Sequence, residues 1–295
     1  MKRAAIIAAM PGELKPFLDA NAKEGWTHER RGNVKLWHLI WPLDQGEWIA
    51  ACAGAGEDAA MRAFAEVEKD GPVSRVISTG WAGALREELK PGEAYRVSGV
   101  IDARTGERFE TADLPEGSVA LKGHGFSRAA AVQRTDPALA TEGMLTDRRI
   151  FPQELKPENS YSSASGTAEA VPFQNELWLV TAPGVADAAE KQRLASTYQA
   201  GLVDMEAAGV ARLAAMRGIP FYCVKGVSDG YSDKLPDFNR FISADGQFRL
   251  LRFVVFALFR PWRWPALMRM GENSTRAARA MAALLFDLLN QQFTG

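Results

Sequence analysis

Short apolar runs bounded by glycine and proline recur along the chain, and several are followed by a helical pattern. The runs predict buried strands at residues 4–9, 47–53, 75–79, 176–181 and 220–227. The helical patterns predict helices at residues 12–21, 57–69, 186–198, 205–217 and 274–292. Asn273 and Ser274 are suited to cap the last helix. Apolar runs that alternate with helices are typical of parallel strands in an α/β domain.

Two segments break this pattern. Residues 103–172 are rich in polar and turn-forming residues and are too long for an ordinary connection, which predicts an insertion, either a lid or an excursion. Residues 248–270 hold five arginines, two tryptophans and no acidic residue, and are too interrupted to span a bilayer. We expect a core helix followed by a proline-rich turn there. The alternative is an amphipathic surface element that contacts an anionic membrane.

The length and composition predict an ordinary globular protein with one large domain or two small ones, and they narrow the functional classes. The 35 basic and 36 acidic residues give a net charge of −1, so no overall basic field attracts nucleic acid. Cys52 and Cys223 lie in separate apolar stretches and are predicted to be buried thiols in a reducing cytoplasm. The three histidines have no partners at metal-ligand spacing, so we predict no metal site.

Acidic or small residues follow the predicted strands at four places. They are Glu13, a predicted turn at residues 80–83 with the small residues Gly80, Ala82 and Gly83, Glu206, and Asp229 with its neighbour Ser228. Small residues let a ligand approach the backbone N–H groups, and open α/β sheets bind ligands beyond their strand ends. Together these positions would define one crevice.

Each of these features also has a structural interpretation. Glu13 would be a favourable partner for a helix N-terminus, and Asp229 would form a turn or a helix cap. Gly54, Gly56 and Ala59 fit a dinucleotide-binding spacing, but the next predicted strand ends without the acid that would hold a ribose. We therefore interpret those glycines as a tight strand-to-helix turn.

The order of these motifs resembles that of the nucleoside phosphorylase/nucleosidase superfamily, and within it the methylthioadenosine/S-adenosylhomocysteine nucleosidases. The matching pieces are "IIAAMPGEL", "AGAGEDAA", "STGWAGAL", "LVDMEAAGVARLAAMRGIPFYCVKGVSD" and "DFNRF". The resemblance implies a single domain over residues 1–295 with a three-layer α/β/α fold around a mixed, mostly parallel twisted sheet. It also implies a homodimer that needs no cofactor, with phosphate as co-substrate if the protein is a phosphorylase.

The resemblance also implies roles for individual residues. Glu206 would bind the ribose hydroxyls, with Met205 packing on the sugar. Asp229 would hydrogen-bond or protonate N7 of the purine, since a neutral purine leaves more readily than its anion. Glu13 would activate the attacking water. Asp204, by contrast, is expected to brace the strand end or a neighbouring loop.

Four further positions complete the predicted substrate site: Gly80, Trp81, Ala82 and Ser228. The family commonly has serine where Trp81 stands and arginine where Lys225 stands. A tryptophan facing the crevice would shrink it or stack on a base. A lysine can still pair with a carboxylate, but without a planar fork.

The type of reaction stays open between hydrolysis and phosphorolysis, and Glu13 favours hydrolysis of an adenosyl compound such as methylthioadenosine or S-adenosylhomocysteine. The stretch "APGVADAAEKQRLASTYQAGLVDMEAAGVA" also resembles the hopanoid-associated branch, which releases adenine from an adenosyl-lipid. The apolar, basic segment 248–270 would be suited to bind a nucleoside carried on a lipid. A non-catalytic nucleoside-binding module on the same fold is the alternative from another functional class.

Overall fold

The computed structural model describes residues 3–21, 25–40, 46–113, 176–233, 236–243 and 245–290. All of them belong to one compact unit formed by Met1–Ser118 and Asn175–Gly295. The predicted insertion at 103–172 is described only as far as residue 113, so most of it lies outside the described residues and it stays a prediction.

The described strands form one mixed sheet. They are β1 (Arg3–Ala8), β2 (Thr27–Arg31), β3 (Val34–Ile40), β4 (Glu47–Cys52), β5 (Arg75–Ala84), β6 (Ala94–Arg96), β7 (Gly99–Asp102), β8 (Arg108–Glu110), β9 (Trp178–Thr181), β10 (Leu202–Asp204) and β11 (Phe221–Asp229). Their order is β2-β3-β4-β1-β5-β10-β9-β7-β8, and β11 pairs with β5 and β6. β4, β1, β5 and β11 are parallel, whereas β10 runs antiparallel to β5. The predicted mixed sheet is confirmed.

Helices cover both faces of this sheet. They are α1 (Pro11–Ala20), α2 (Glu57–Glu68), α3 (Ala188–Tyr198), α4 (Ala207–Arg217), α5 (Leu250–Leu258) and α6 (Trp264–Asn290). Side chains alternate along β1, so Ala5 and Ile7 join one apolar cluster with α2 and α4, while Ala4 and Ile6 join another with α1 and α6. This alternation produces the predicted three-layer α/β/α arrangement.

Two predicted boundaries are wrong. We expected a strand to break into a turn at residues 80–83, but β5 continues through them to Ala84. We expected the last helix to begin at Asn273 and Ser274, but α6 begins at Trp264 and contains both residues. Pro265 is the second residue of α6, a position where proline is tolerated because the first-turn N–H groups have no helical partner.

The expected core helix within residues 248–270 is also wrong. Phe253 and Phe256 of α5 pack inward on Phe241, with ring centroids 5.5 Å and 5.1 Å away. Most other apolar side chains of the segment are exposed. An amphipathic helix of this kind has one packed face and one face left to another partner.

Candidate active site

The second half of β5 leaves room for two carboxylates. Gly80 has φ +143°, and a Cβ there would lie 2.9 Å from Oε1 of Glu13. A Cβ on Gly83 would lie 3.0 Å from Oδ2 of Asp229. The small residues at 80–83 therefore allow acidic side chains to approach a continuous strand, rather than form the predicted turn.

Glu13 is buried at the start of α1, just beyond β1. Its Oε2 accepts hydrogen bonds from the backbone N–H groups of Ala9 and Met10, at 2.8 Å and 2.9 Å, and its Oε1 accepts one from Trp81 N–H at 2.9 Å. Burial raises the pKa of Glu13, and these N–H groups and Lys225 oppose the shift only in part. Glu13 can thus stabilise the N-terminus of α1 and also have a chemical role. A carboxyl with a raised pKa is a better proton acceptor near neutral pH.

Glu206 follows β10 at the N-terminus of α4 and is buried. Its Oε1 accepts a hydrogen bond from Gly56 N–H at 2.9 Å, and its Oε2 accepts one from Met205 N–H at 3.2 Å. Burial, then the charge of Asp204 and of Glu13, raise the pKa of Glu206 to about 8, against the opposing charge of Lys225. The charge of Glu13 contributes to the raised pKa of Glu206, which indicates that the two carboxyls lie near each other.

Asp204 is held entirely by the fold. Its Oδ1 accepts a hydrogen bond from Thr181 Oγ1 at 2.7 Å, its Oδ2 accepts one from Ala207 N–H at 2.9 Å, and Oδ2 also lies 2.8 Å from Lys225 Nζ. These contacts join β9, β10, β11 and α4, which confirms the prediction that Asp204 braces the strand end. Asp204 and Glu206, two residues apart, thus have different surroundings.

Lys225 lies on β11 opposite Gly80 of β5 and is fully buried. Burial lowers the pKa of this ammonium, but the nearby Asp204, together with Cys223 and Glu206, outweighs burial and raises it overall. Lys225 therefore stays charged, and its charge lowers the pKa of both Glu13 and Glu206. Its neighbour on β11, Cys223, is a buried thiol as predicted, and burial raises its pKa to about 12.

Asp229 ends β11 next to a hydroxyl and an ammonium. Its Oδ1 accepts a hydrogen bond from Ser228 Oγ at 2.6 Å, and its Oδ2 accepts one from Lys191 Nζ. Lys191 also donates to the carbonyl of Gly230 at 2.7 Å. The arrangement surrounds one carboxylate with two groups that carry exchangeable protons.

Sequence reasoning missed Lys191. It lies on α3 among charged and polar neighbours, in the run "AAEKQRLAS", and its pattern is typical of a solvent-exposed helix face. The structure buries it against Asp229, 38 positions later in the chain. No local signal in the sequence distinguishes it from the neighbouring exposed charges.

The remaining predicted positions lie around β5 and β10. Trp81 offers its backbone N–H to Glu13, while its indole Nε1 donates to the carbonyl of Ser274 on α6 at 3.0 Å. The carbonyl of Ala82 lies 3.3 Å from Ser228 Oγ. Met205 is half-buried beside Glu206. The indole of Trp81 thus packs towards α1 and α6.

The fold agrees with the comparisons to known proteins. The family model described as the phosphorylase superfamily matches residues 3–251. The chain belongs to the phosphorylase superfamily. This membership makes it a nucleosidase or a nucleoside phosphorylase. No curated protein matches the chain.

Solved structures of this superfamily share the fold at low identity. A mutant futalosine hydrolase of Helicobacter pylori has a TM-score of 0.60 and 14% identity, covering 98% of this chain and 99% of that one. The 5′-methylthioadenosine nucleosidase of Arabidopsis thaliana has a TM-score of 0.61 and 14% identity, covering 100% and 97%. The 5′-methylthioadenosine/S-adenosyl homocysteine nucleosidase of Campylobacter jejuni has a TM-score of 0.58 and 14% identity, covering 98% of each chain.

Proposed function

We propose that this superfamily member hydrolyses the N-glycosidic bond of an adenosyl compound, such as methylthioadenosine or S-adenosylhomocysteine, and releases adenine. The observation that carries the proposal is the placement of Glu206. In the ionised form of Glu206, each carboxyl oxygen accepts one backbone N–H and keeps a lone pair for a hydroxyl of a vicinal diol. A buried acceptor of this kind favours a ribose, because a ligand without the diol would leave it unsatisfied.

Asp229 is the candidate for the purine end of the substrate. Departure of the base is easier when N7 is protonated or strongly hydrogen-bonded, since the purine then leaves as a neutral molecule. Ser228 and Lys191 both donate to Asp229 and hold its two oxygens in place. In this role Asp229 delivers a proton to N7 of the base, and the ammonium of Lys191, which donates to Asp229, holds this carboxyl in place and supplies the proton that Asp229 passes on.

Glu13 is the candidate general base. In a hydrolysis it would accept a proton from the water that attacks the anomeric carbon of the sugar. Its raised pKa suits this step, because a base works best when its pKa lies near the operating pH. Three backbone N–H groups fix the direction of the carboxyl, so it needs little reorganisation during the reaction.

The charge around the site supports hydrolysis over phosphorolysis. Glu13, Glu206 and Asp229 bring three carboxyls to the site, while the buried cations Lys191 and Lys225 each contact an aspartate. A phosphate ion binds best where cationic or N–H donors are free to receive it. A dianion would instead meet the carboxyl of Glu13.

The test is the identity of the sugar product. The purified protein is incubated with methylthioadenosine or with S-adenosylhomocysteine, each with and without inorganic phosphate, and adenine and the sugar are quantified by chromatography. We expect adenine and the free methylthioribose in equal amounts, at a rate independent of phosphate. A phosphate requirement, with a sugar 1-phosphate as the product, would replace hydrolysis by phosphorolysis. Absence of adenine release from both adenosyl compounds would overturn the proposed substrate class.

A further inference from the structure

Exposed apolar side chains are concentrated in one surface, formed by the exposed residues of 248–270 and called here the 248–270 surface. Of the eight large apolar side chains that are exposed among the described residues, seven belong to it, and the eighth is Met216 of α4. The seven are Val254, Val255, Leu258, Phe259, Trp262, Trp264 and Met268. Such a concentration marks an interaction site rather than ordinary scattered exposure.

The 248–270 surface is also strongly basic. Its five arginines are accompanied by no acidic residue, whereas 30 basic and 36 acidic residues remain in the rest of the chain. Arg249, Arg252, Arg263 and Arg269 are exposed. The positive charge is therefore local to the apolar surface and contrasts with a net negative remainder.

The surface is firmly attached to the protein beneath it. Phe253 and Phe256 insert on the inner side of α5. The guanidinium of Arg260 lies 4.0 Å from the ring centroid of Phe256, and Trp264 Nε1 donates to the carbonyl of Ala257 at 2.8 Å. The last contact ties the start of α6 to α5. The outward side chains are thus presented by a packed helical element.

We propose that the 248–270 surface docks on an anionic lipid bilayer. Exposed tryptophan, phenylalanine and leucine suit the boundary between headgroups and acyl chains, and arginines suit acidic headgroups. No helix of the described residues is long and apolar enough to cross a membrane, so the contact is interfacial. A symmetric contact with a second copy fits less well, since it would set five arginines against five others.

The docking surface is linked to the candidate ribose site through the residues that precede α5. The carbonyl of Gly246 accepts a hydrogen bond from Ala55 N–H at 2.8 Å, and Gln247 Nε2 donates to the carbonyl of Ala53 at 2.7 Å. Gly56, the residue after Ala55, donates its backbone N–H to Glu206. The loop that holds Glu206 is therefore hydrogen-bonded to the two residues that immediately precede the 248–270 surface.

Vesicle sedimentation tests the proposal. The full chain is mixed with vesicles of phosphatidylcholine alone, or of phosphatidylcholine with phosphatidylglycerol, and the bound fraction is measured. We expect binding to the anionic vesicles that weakens with added salt, and little binding to the neutral ones. Equal sedimentation with both vesicle types, or none with either, would overturn the proposal. If the original protein binds no vesicles but self-associates, and Trp262→Ser abolishes that self-association, the surface would instead be an interface between two copies of the chain.

Matched variants locate the contact. Phe259 and Trp262 are 75% and 72% exposed, and Met216 is 76% exposed on α4, so Met216→Ser is a control of equal exposure. We expect the double variant Phe259→Ser, Trp262→Ser to lose vesicle binding. The control Met216→Ser should bind vesicles as the original protein does. Each of the single variants Arg252→Gln and Arg263→Gln should weaken vesicle binding about fivefold. Circular dichroism checks that each variant is folded. Equal vesicle binding by the apolar double variant and by Met216→Ser would contradict the assignment of the contact to the 248–270 surface.

Discussion

Two buried lysine–aspartate pairs lie near β5, and they differ in what the aspartate contacts. In the pair Lys225–Asp204, neither side chain has exposed surface, and Asp204 also accepts hydrogen bonds from Thr181 and Ala207. In the pair Lys191–Asp229, the Asp229 side chain keeps 7% of its surface exposed. Burial of an ion pair thus does not by itself indicate catalysis. The carboxylate that stays accessible is the candidate for contact with substrate.

The largest expected effect comes from breaking the inaccessible pair. Lys225→Met leaves the charge of Asp204 buried without its ammonium, and we expect the free energy of unfolding to fall by about 4 kcal/mol. Urea denaturation monitored by circular dichroism measures this change. The double variant Lys225→Met, Asp204→Asn removes both charges and should regain at least part of the loss. An unchanged urea midpoint in the single variant would show that the pair does not support the fold.

The next expected effect separates the two aspartates by activity. Asp229→Asn removes the proton source for the purine, and we expect kcat for adenine release to fall about a thousandfold. The matched change Asp204→Asn should chiefly lower the free energy of unfolding, because Asp204 contacts only protein groups. Both variants are assayed under conditions where each is folded. Equal losses of kcat in the two variants would remove the distinction between them.

The smallest expected effect concerns Glu206, a residue of the candidate site whose pKa is influenced by both members of the pair Lys225–Asp204. The pKa of Glu206 is raised to about 8 by burial and by Asp204, so the unfolded chain loses this proton at lower pH than the folded protein does. The protein therefore loses stability as pH rises from about 4.5 to about 8. We expect Glu206→Gln to remove this loss, so that its stability relative to the original protein rises with pH over this range.

The measurement for Glu206 is a series of urea denaturations between pH 5 and pH 9 on both proteins. The difference in unfolding free energy should grow with pH and then level off. The same variant should bind an adenosyl substrate more weakly, because an amide presents one acceptor oxygen where the carboxylate has two. A difference in stability that is constant with pH would show that Glu206 titrates normally.

The sequence predicts the central part of the fold better than its edges. The five apolar runs correspond to β1, β4, β5, β9 and β11, because strands buried on both faces have continuous apolar sequences. β2 was not predicted, since its sequence "THERR" is exposed and has no apolar residue. The short strand β10 was also missed, although it carries Asp204 into place. Its three residues are too few to establish a period.

The sequence by itself pointed to three acidic residues, Glu13, Glu206 and Asp229, because they occur in motifs that resemble a known family. Only the tertiary structure decided their partners. It brought Lys191 from α3 to Asp229, set β10 antiparallel to β5, and left 248–270 on the surface. The physical reason is that apolar runs and turns are read from neighbouring residues. The pairing of buried charges and the exposure of an amphipathic face depend on which elements pack together.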